Sequence, residues 1–190
     1  MPFLRYLTPL SLICGAGWTA NLFTSVDLVQ AHIDRILEVN AVLRAVTEIN
    51  PDALSVASQR DAERRAGIDP AKQPLHGIPI RLRNNIATND GMNNARWLIC
   101  PVGRFSRASP PRGLVGSLAA KQLAPTTQGK APRGSSSGSA VSVSIGLAWA
   151  AVGTDTGGSI PLPGHANHVA GFRPTVGLTS RYLVIPCSEM

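Results

Sequence analysis

The sequence predicts an α/β chain, and three observations carry that prediction. Apolar residues recur at helical spacing in two early stretches, 24–38 and 52–66. Two short apolar runs, around 77–82 and 148–153, read as buried strands. Residues 139–147 are small, and they read as a helix that packs closely behind the glycine- and serine-rich turn preceding it. With 44% hydrophobic and 15% charged residues, the composition is that of a globular chain.

Residues 1–21 form an N-terminal extension. Its apolar stretch at 10–16 is short, Pro9 precedes it, and no A-x-A cleavage site follows. It therefore reads as a leading helix or a frayed terminus rather than a signal peptide. No run approaches the roughly 20 apolar residues of a membrane span. The helix at 24–38 opens on a capping box of Thr24 and Asp27, with Val26, Val29, Ile33, Ile36 and Leu37 on its apolar face. His32 on this helix reads as a surface histidine. Residues 45–49 (Ala-Val-Thr-Glu-Ile) look like a short strand. The helix at 52–66 starts at Pro51-Asp52 and stops at Gly67. Its charged run Arg60, Asp61, Glu63, Arg64 and Arg65 reads as a solvated face. A loop then leads to the strand at 77–82. The strand at 148–153 delivers the run Gly153-Thr154-Asp155-Thr156-Gly157-Gly158-Ser159-Ile160.

That run carries the chemistry. A serine closing a Thr-Gly-Gly turn can expose its hydroxyl, while consecutive backbone N–H groups aim at one point. Acyl transfer needs that pairing of a nucleophile and a preformed oxyanion hole. A second serine-rich segment, Gly134-Ser135-Ser136-Ser137-Gly138-Ser139, lies upstream, with Ser135 and Ser159 24 positions apart. His165 and His168 follow the nucleophile position, but nothing in the sequence supports a Ser–His dyad.

These two segments resemble the amidase signature family of serine hydrolases. Two more blocks strengthen the resemblance. Gly171-Phe172-Arg173-Pro174-Thr175-Val176-Gly177-Leu178-Thr179-Ser180-Arg181 is similar to the family's G-L-K-P-T-x-G-x-x-S-R. Pro74-Leu75-His76-Gly77-Ile78-Pro79-Ile80-Arg81-Leu82-Arg83-Asn84-Asn85-Ile86 is similar to P-L-H-G-I-P-[IV]-x-[LV]-K-[DN]-N-I. Four blocks in the family's order are far more specific than one glycine/serine run.

The resemblance implies a mixed β-sheet flanked by helices on both faces. It implies hydrolysis of carboxamides, with esters as further substrates, through a serine acyl-enzyme and without metal or cofactor. It places the nucleophile on Ser159 and the bridging serine, which follows a cis peptide bond, on Ser135. The oxyanion-hole N–H groups fall on Thr156, Gly157, Gly158 and Ser159, with Ser136 and Asp155 as supports. His76 is a structural histidine in this scheme. The relay lysine falls on Arg83. A relay needs a base that can lose its proton, and arginine stays charged, with a free pKa above about 12. Arg83 holds charge at the site but does not accept a proton. The expected protein is thus an amidase-family hydrolase of weak or absent activity, with a catalytically dead remnant or a basic binding protein as the alternative.

Two features concern the length of the chain and its middle. The family domain is more than twice as long as these 190 residues, so 22–190 reads as a partial domain lacking the C-terminal half. The segment 95–133 holds Arg96, Arg104, Arg107, Arg112, Lys121, Lys130 and Arg133, five prolines and no acidic residue. Its seven charges equal the chain's net charge of +7. Clustered basic residues can bind nucleic acid, and such a segment can also be a disordered insertion. An abrupt switch to acid-free, Arg/Pro/Ser-rich sequence between well-matched blocks favours a third reading, a shifted frame or altered splice. No nucleic-acid or membrane partner is expected. Cys14, Cys100 and Cys187 form no C-x-x-C pair, which argues against a disulfide framework or zinc site and for a reducing, cytoplasmic setting.

Overall fold

The computed structural model describes residues 18, 22–68, 72–92, 132–182 and 184–185. Nearly all of the N-terminal extension and of the basic segment lies outside the described residues, as do the three cysteines. In chain order the elements are α1 (Ser25–Leu43), α2 (Ala53–Arg65), β1 (Ile80–Leu82), α3 (Ser137–Ser144), β2 (Ala150–Val152) and α4 (Pro161–Ala166).

Helix α1 begins where the capping box predicts. The Thr24 hydroxyl accepts from the Asp27 N–H, and the Asp27 carboxylate accepts from the Thr24 N–H at 2.9 Å. The helix runs five residues past the predicted end because 39–43 contains no glycine or proline to stop it. Arg44 ends it instead, in the left-handed region at φ 50°, donating its N–H to the Asn40 carbonyl. The Asn40 side chain then bonds both the N–H and the carbonyl of Val46, at 2.8 and 2.7 Å. Those bonds use the backbone groups a strand would need, and the predicted strand at 45–49 does not form.

Helix α2 packs against α1 and does more than present a solvated face. Asp61, whose side chain is only 13% exposed, accepts from the N–H groups of Ser25 and Val26, so one helix caps the other. The Arg64 guanidinium lies 3.8 Å from the centre of the Trp18 ring. Arg60 and Glu63 form a half-exposed pair. His32 is buried rather than on the surface. Burial depresses its pKa, although the Gly146 backbone opposes the shift. His76 lies 3.1 Å from Glu63.

The two strands pair in parallel, with Ile80, Arg81 and Leu82 opposite Ala150, Ala151 and Val152. Both are shorter than predicted. Pro79 has no N–H to give the ladder, so β1 starts after it. A bond from the Arg83 N–H to the Val152 carbonyl at 3.0 Å carries the ladder one step further. An antiparallel bridge joins Ile86 to Val184. Two buried clusters hold these elements together. Trp18, Phe23, Leu28 and Ile78 form one; Ala45, Val141 and Leu147 form the other.

Candidate active site

Strand alternation puts Arg81 and Arg83 on one face of β1, and that face meets the serines of α3. Arg81 donates to the Ser142 hydroxyl. Its burial lowers its pKa to about 10, well above neutrality. Arg83, one residue past the strand, reaches the start of α3. Its Nη1 donates to the Ser136 hydroxyl at 3.2 Å and to the Thr154 carbonyl at 3.0 Å. It also donates to the Thr154 hydroxyl at 2.5 Å. Its Nη2 donates to the Ser135 hydroxyl at 3.0 Å. Nη1 carries two hydrogens, so its three acceptors share them, while Nη2 serves Ser135.

The Ser135 and Ser159 hydroxyls lie 3.0 Å apart, and the peptide bond between Gly134 and Ser135 is cis. The structure thus brings together the three positions Arg83, Ser135 and Ser159 in one hydrogen-bonded line. No histidine among the described residues bonds Ser159. Ser136 fastens the two serine segments to each other. Its N–H donates to the Ser159 carbonyl at 3.0 Å, and its hydroxyl donates to the Thr154 carbonyl at 3.1 Å. The hydroxyl of this N-cap residue is therefore spent on the neighbouring turn, not on its own helix. The fit is close: a Cβ on Gly153 would sit 2.7 Å from the Ser136 Oγ. Gly158 has φ +104°, and a Cβ there would meet Leu162 at 2.9 Å, so this turn needs glycine on two counts.

Asp155 anchors the turn from beneath. Its side chain is 1% exposed, and it accepts from the N–H groups of Gly158 and Ile160, each at 2.8 Å. Burial by itself would raise its pKa. The N–H groups of Ile160, Gly158 and Ser159, together with the Arg173 guanidinium 3.6 Å away, outweigh that and hold the carboxyl below the usual range. The N–H groups of Gly158 and Ser159 turn toward Asp155, because a buried carboxylate needs donors. Among the described residues, those of Thr156 and Gly157 have no acceptor, and both residues are exposed.

Sequence reasoning missed Thr154, Asn85 and Arg173 as parts of the site. The Asn85 amide donates to the Thr154 hydroxyl at 3.1 Å, which makes Thr154 the point where β1 and the serine turn are tied. All three lie inside the recognised blocks, which mark their positions but not their contacts. Beside the site runs a groove of about 1000 Å³, lined in part by Ile33, Ile36, Ile78 and Leu82 and reaching Arg83 and Ser135. Among the described residues no group of His, Cys, Asp or Glu converges as a metal site would require, and no helix is long and apolar enough to cross a membrane.

A parallel α/β core that presents a pair of linked serines on a glycine turn defines the class, and comparison with known proteins places the chain within it. The chain belongs to the amidase family: the family model, described as Amidase, matches residues 27–95 and 118–190. The second match begins inside the basic segment and leaves 96–117 unmatched. A protein of Arthroderma benhamiae named as an amidase is 39% identical, over 91% of this chain and 37% of its own length. One component of the glutamyl-tRNA(Gln) amidotransferase of Corynebacterium jeikeium is 28% identical, over 90% of this chain and 39% of its own. The crystal structure of the peptide amidase PAM in complex with the competitive inhibitor chymostatin superimposes with a TM-score of 0.74 at 33% identity. It covers 99% of this chain and 44% of that one. The chain spans about two fifths of the length of these proteins. Its fold is that of the amidase family, in part.

Proposed function

We propose that this chain carries the acyl-transfer site of an amide hydrolase, with Ser159 as nucleophile and Ser135 as bridge, and that Arg83 suppresses its turnover. The observation that carries this reading is the 3.0 Å contact from Arg83 Nη2 to the Ser135 hydroxyl. In a working relay the proton passes from Ser159 to Ser135 and then to a neutral base. A guanidinium in that place donates, and Ser135 has nowhere to send a proton. General-base catalysis contributes about 10²–10⁴-fold, so its loss leaves an acylation rate close to background. The substrate class is linear carboxamides, by the family and by the amide chemistry in the names of its relatives. No metal or organic cofactor takes part. Thr156 and Gly157 are the N–H groups left to stabilise an oxyanion.

The test is release of ammonia from simple aliphatic carboxamides by the full chain, measured against the Ser159→Ala variant. The expected result is no difference between the two. Arg83→Lys alone is expected to restore little, because the guanidinium also holds Thr154 and Ser136 in place, and a lysine cannot span the same acceptors. Turnover by the unaltered chain that disappears in Ser159→Ala would refute suppression.

A further inference from the structure

We propose that the site binds carboxylates in preference to the matching carboxamides. This rests on the assignment of Ser135 and Ser159 as the family's acylation pair. Arginine is donor-only, so Ser135 must accept from Arg83. The single Ser135 proton is then available to Ser159, whose hydroxyl lies 3.0 Å away. The Ser159 proton finds no acceptor among the described residues. The same holds for the N–H groups of Thr156 and Gly157.

Three unspent donors therefore lie within four consecutive residues, at the end of a hydrogen-bond line that starts on a permanent cation. With a neutral lysine at the base position the line would run inward, and Ser159 would give its proton away from the ligand. With arginine the line runs outward. The donors meet a ligand with acceptor oxygens, and the half-buried guanidinium of Arg83 polarises them toward an anion. A carboxylate presents two charged acceptors and no donor. A carboxamide presents one neutral acceptor and an NH₂ that finds no partner in this array. The groove lined in part by Arg83 and Ser135 lies within reach, since the Ser135 hydroxyl is 3.0 Å from that of Ser159, and its apolar lining suits an aliphatic tail on the carboxylate.

The test titrates the full chain with hexanoate and with hexanamide, following affinity by calorimetry. Charge-assisted hydrogen bonds are roughly twice as strong as neutral ones, so hexanoate is expected to bind about tenfold more tightly. Ser159→Ala, shown to be folded by an unchanged melting profile, is expected to lose most of that preference. A pH profile supplies a second readout. Wild-type affinity for hexanoate stays flat between about pH 6 and 9, because the guanidinium does not titrate. In Arg83→Lys the cation can lose its proton, and affinity declines as pH rises toward the lysine pKa. Equal affinity for the two ligands overturns the proposal. So does failure of either to bind, a hexanoate preference that survives in Ser159→Ala, or identical pH profiles for wild type and Arg83→Lys. Hydrolysis of hexanamide by the wild type instead overturns the reading of suppressed turnover, and the measured hexanoate preference is judged separately.

Discussion

The serine turn and the segment that follows it make opposite use of their surroundings. Between Ser135 and Ile160 several side chains are tied to their neighbours: Ser136 to Ser159 and Thr154, Asp155 to Gly158 and Ile160, and Arg83 to four acceptors there. Between 171 and 182 the chain is irregular, and Phe172, Val176, Leu178 and Tyr182 are 73–83% exposed. Both regions belong to recognised family blocks. The serine turn is held by contacts along a short stretch of chain and one strand, whereas the later block leaves its apolar side chains exposed.

The largest effect that would test this contrast is expected at Asp155. Replacing it with alanine strands buried N–H groups and is expected to cost about 3 kcal/mol in chemical denaturation. A near-neutral result would break the comparison. The same residue gives a pH signature. Its carboxyl lies below the ordinary value of 3.8 in the folded state, so its stabilisation is fully present above that value. It is lost as pH falls through the lower folded value. The stability gap between wild type and Asp155→Asn should thus be widest near neutrality and should close in acid. A gap that is constant with pH would show that the carboxylate charge is not what holds the turn.

Next in size is Ser136→Ala, which removes the acceptor of Arg83 and the donor to Thr154 from a buried position. About 2 kcal/mol is expected, read from the same denaturation curves. Smallest is Phe172→Ser. At 80% exposure it is expected to change stability by less than about 0.5 kcal/mol. It should, however, reduce self-association in sedimentation, because it removes part of an exposed apolar patch. A large loss of stability would mean that this block is packed after all.

Much of this was legible in the sequence, for reasons that differ by element. The start of α1 was readable because a capping box is local chemistry, written in Thr24 and Asp27. Its end was not, because an arginine occupies the left-handed position where glycine is the usual signal. The strand expected at 45–49 failed because Asn40 takes the backbone of Val46, a competition that β-propensity does not encode. Arg83, Ser135 and Ser159 were legible only as positions in family blocks. Their meeting depends on a parallel pairing between 80–82 and 150–152 that no local pattern specifies. The expected oxyanion donors were legible only as a run of four N–H groups, and the sequence does not show that Asp155 accepts from that of Gly158. Thr154 escaped notice because its role lies in bonds with residues distant in sequence, Arg83, Asn85 and Ser136.

The most direct test of the central claim, that a guanidinium at position 83 feeds protons toward the serine pair and leaves Ser159 unactivated, is the intact mass of the full chain after exposure to a fluorophosphonate. The account predicts an unchanged mass for the wild type, indistinguishable from Ser159→Ala. A stoichiometric adduct that maps to Ser159 would contradict it, because that hydroxyl would then be a working nucleophile with arginine in place.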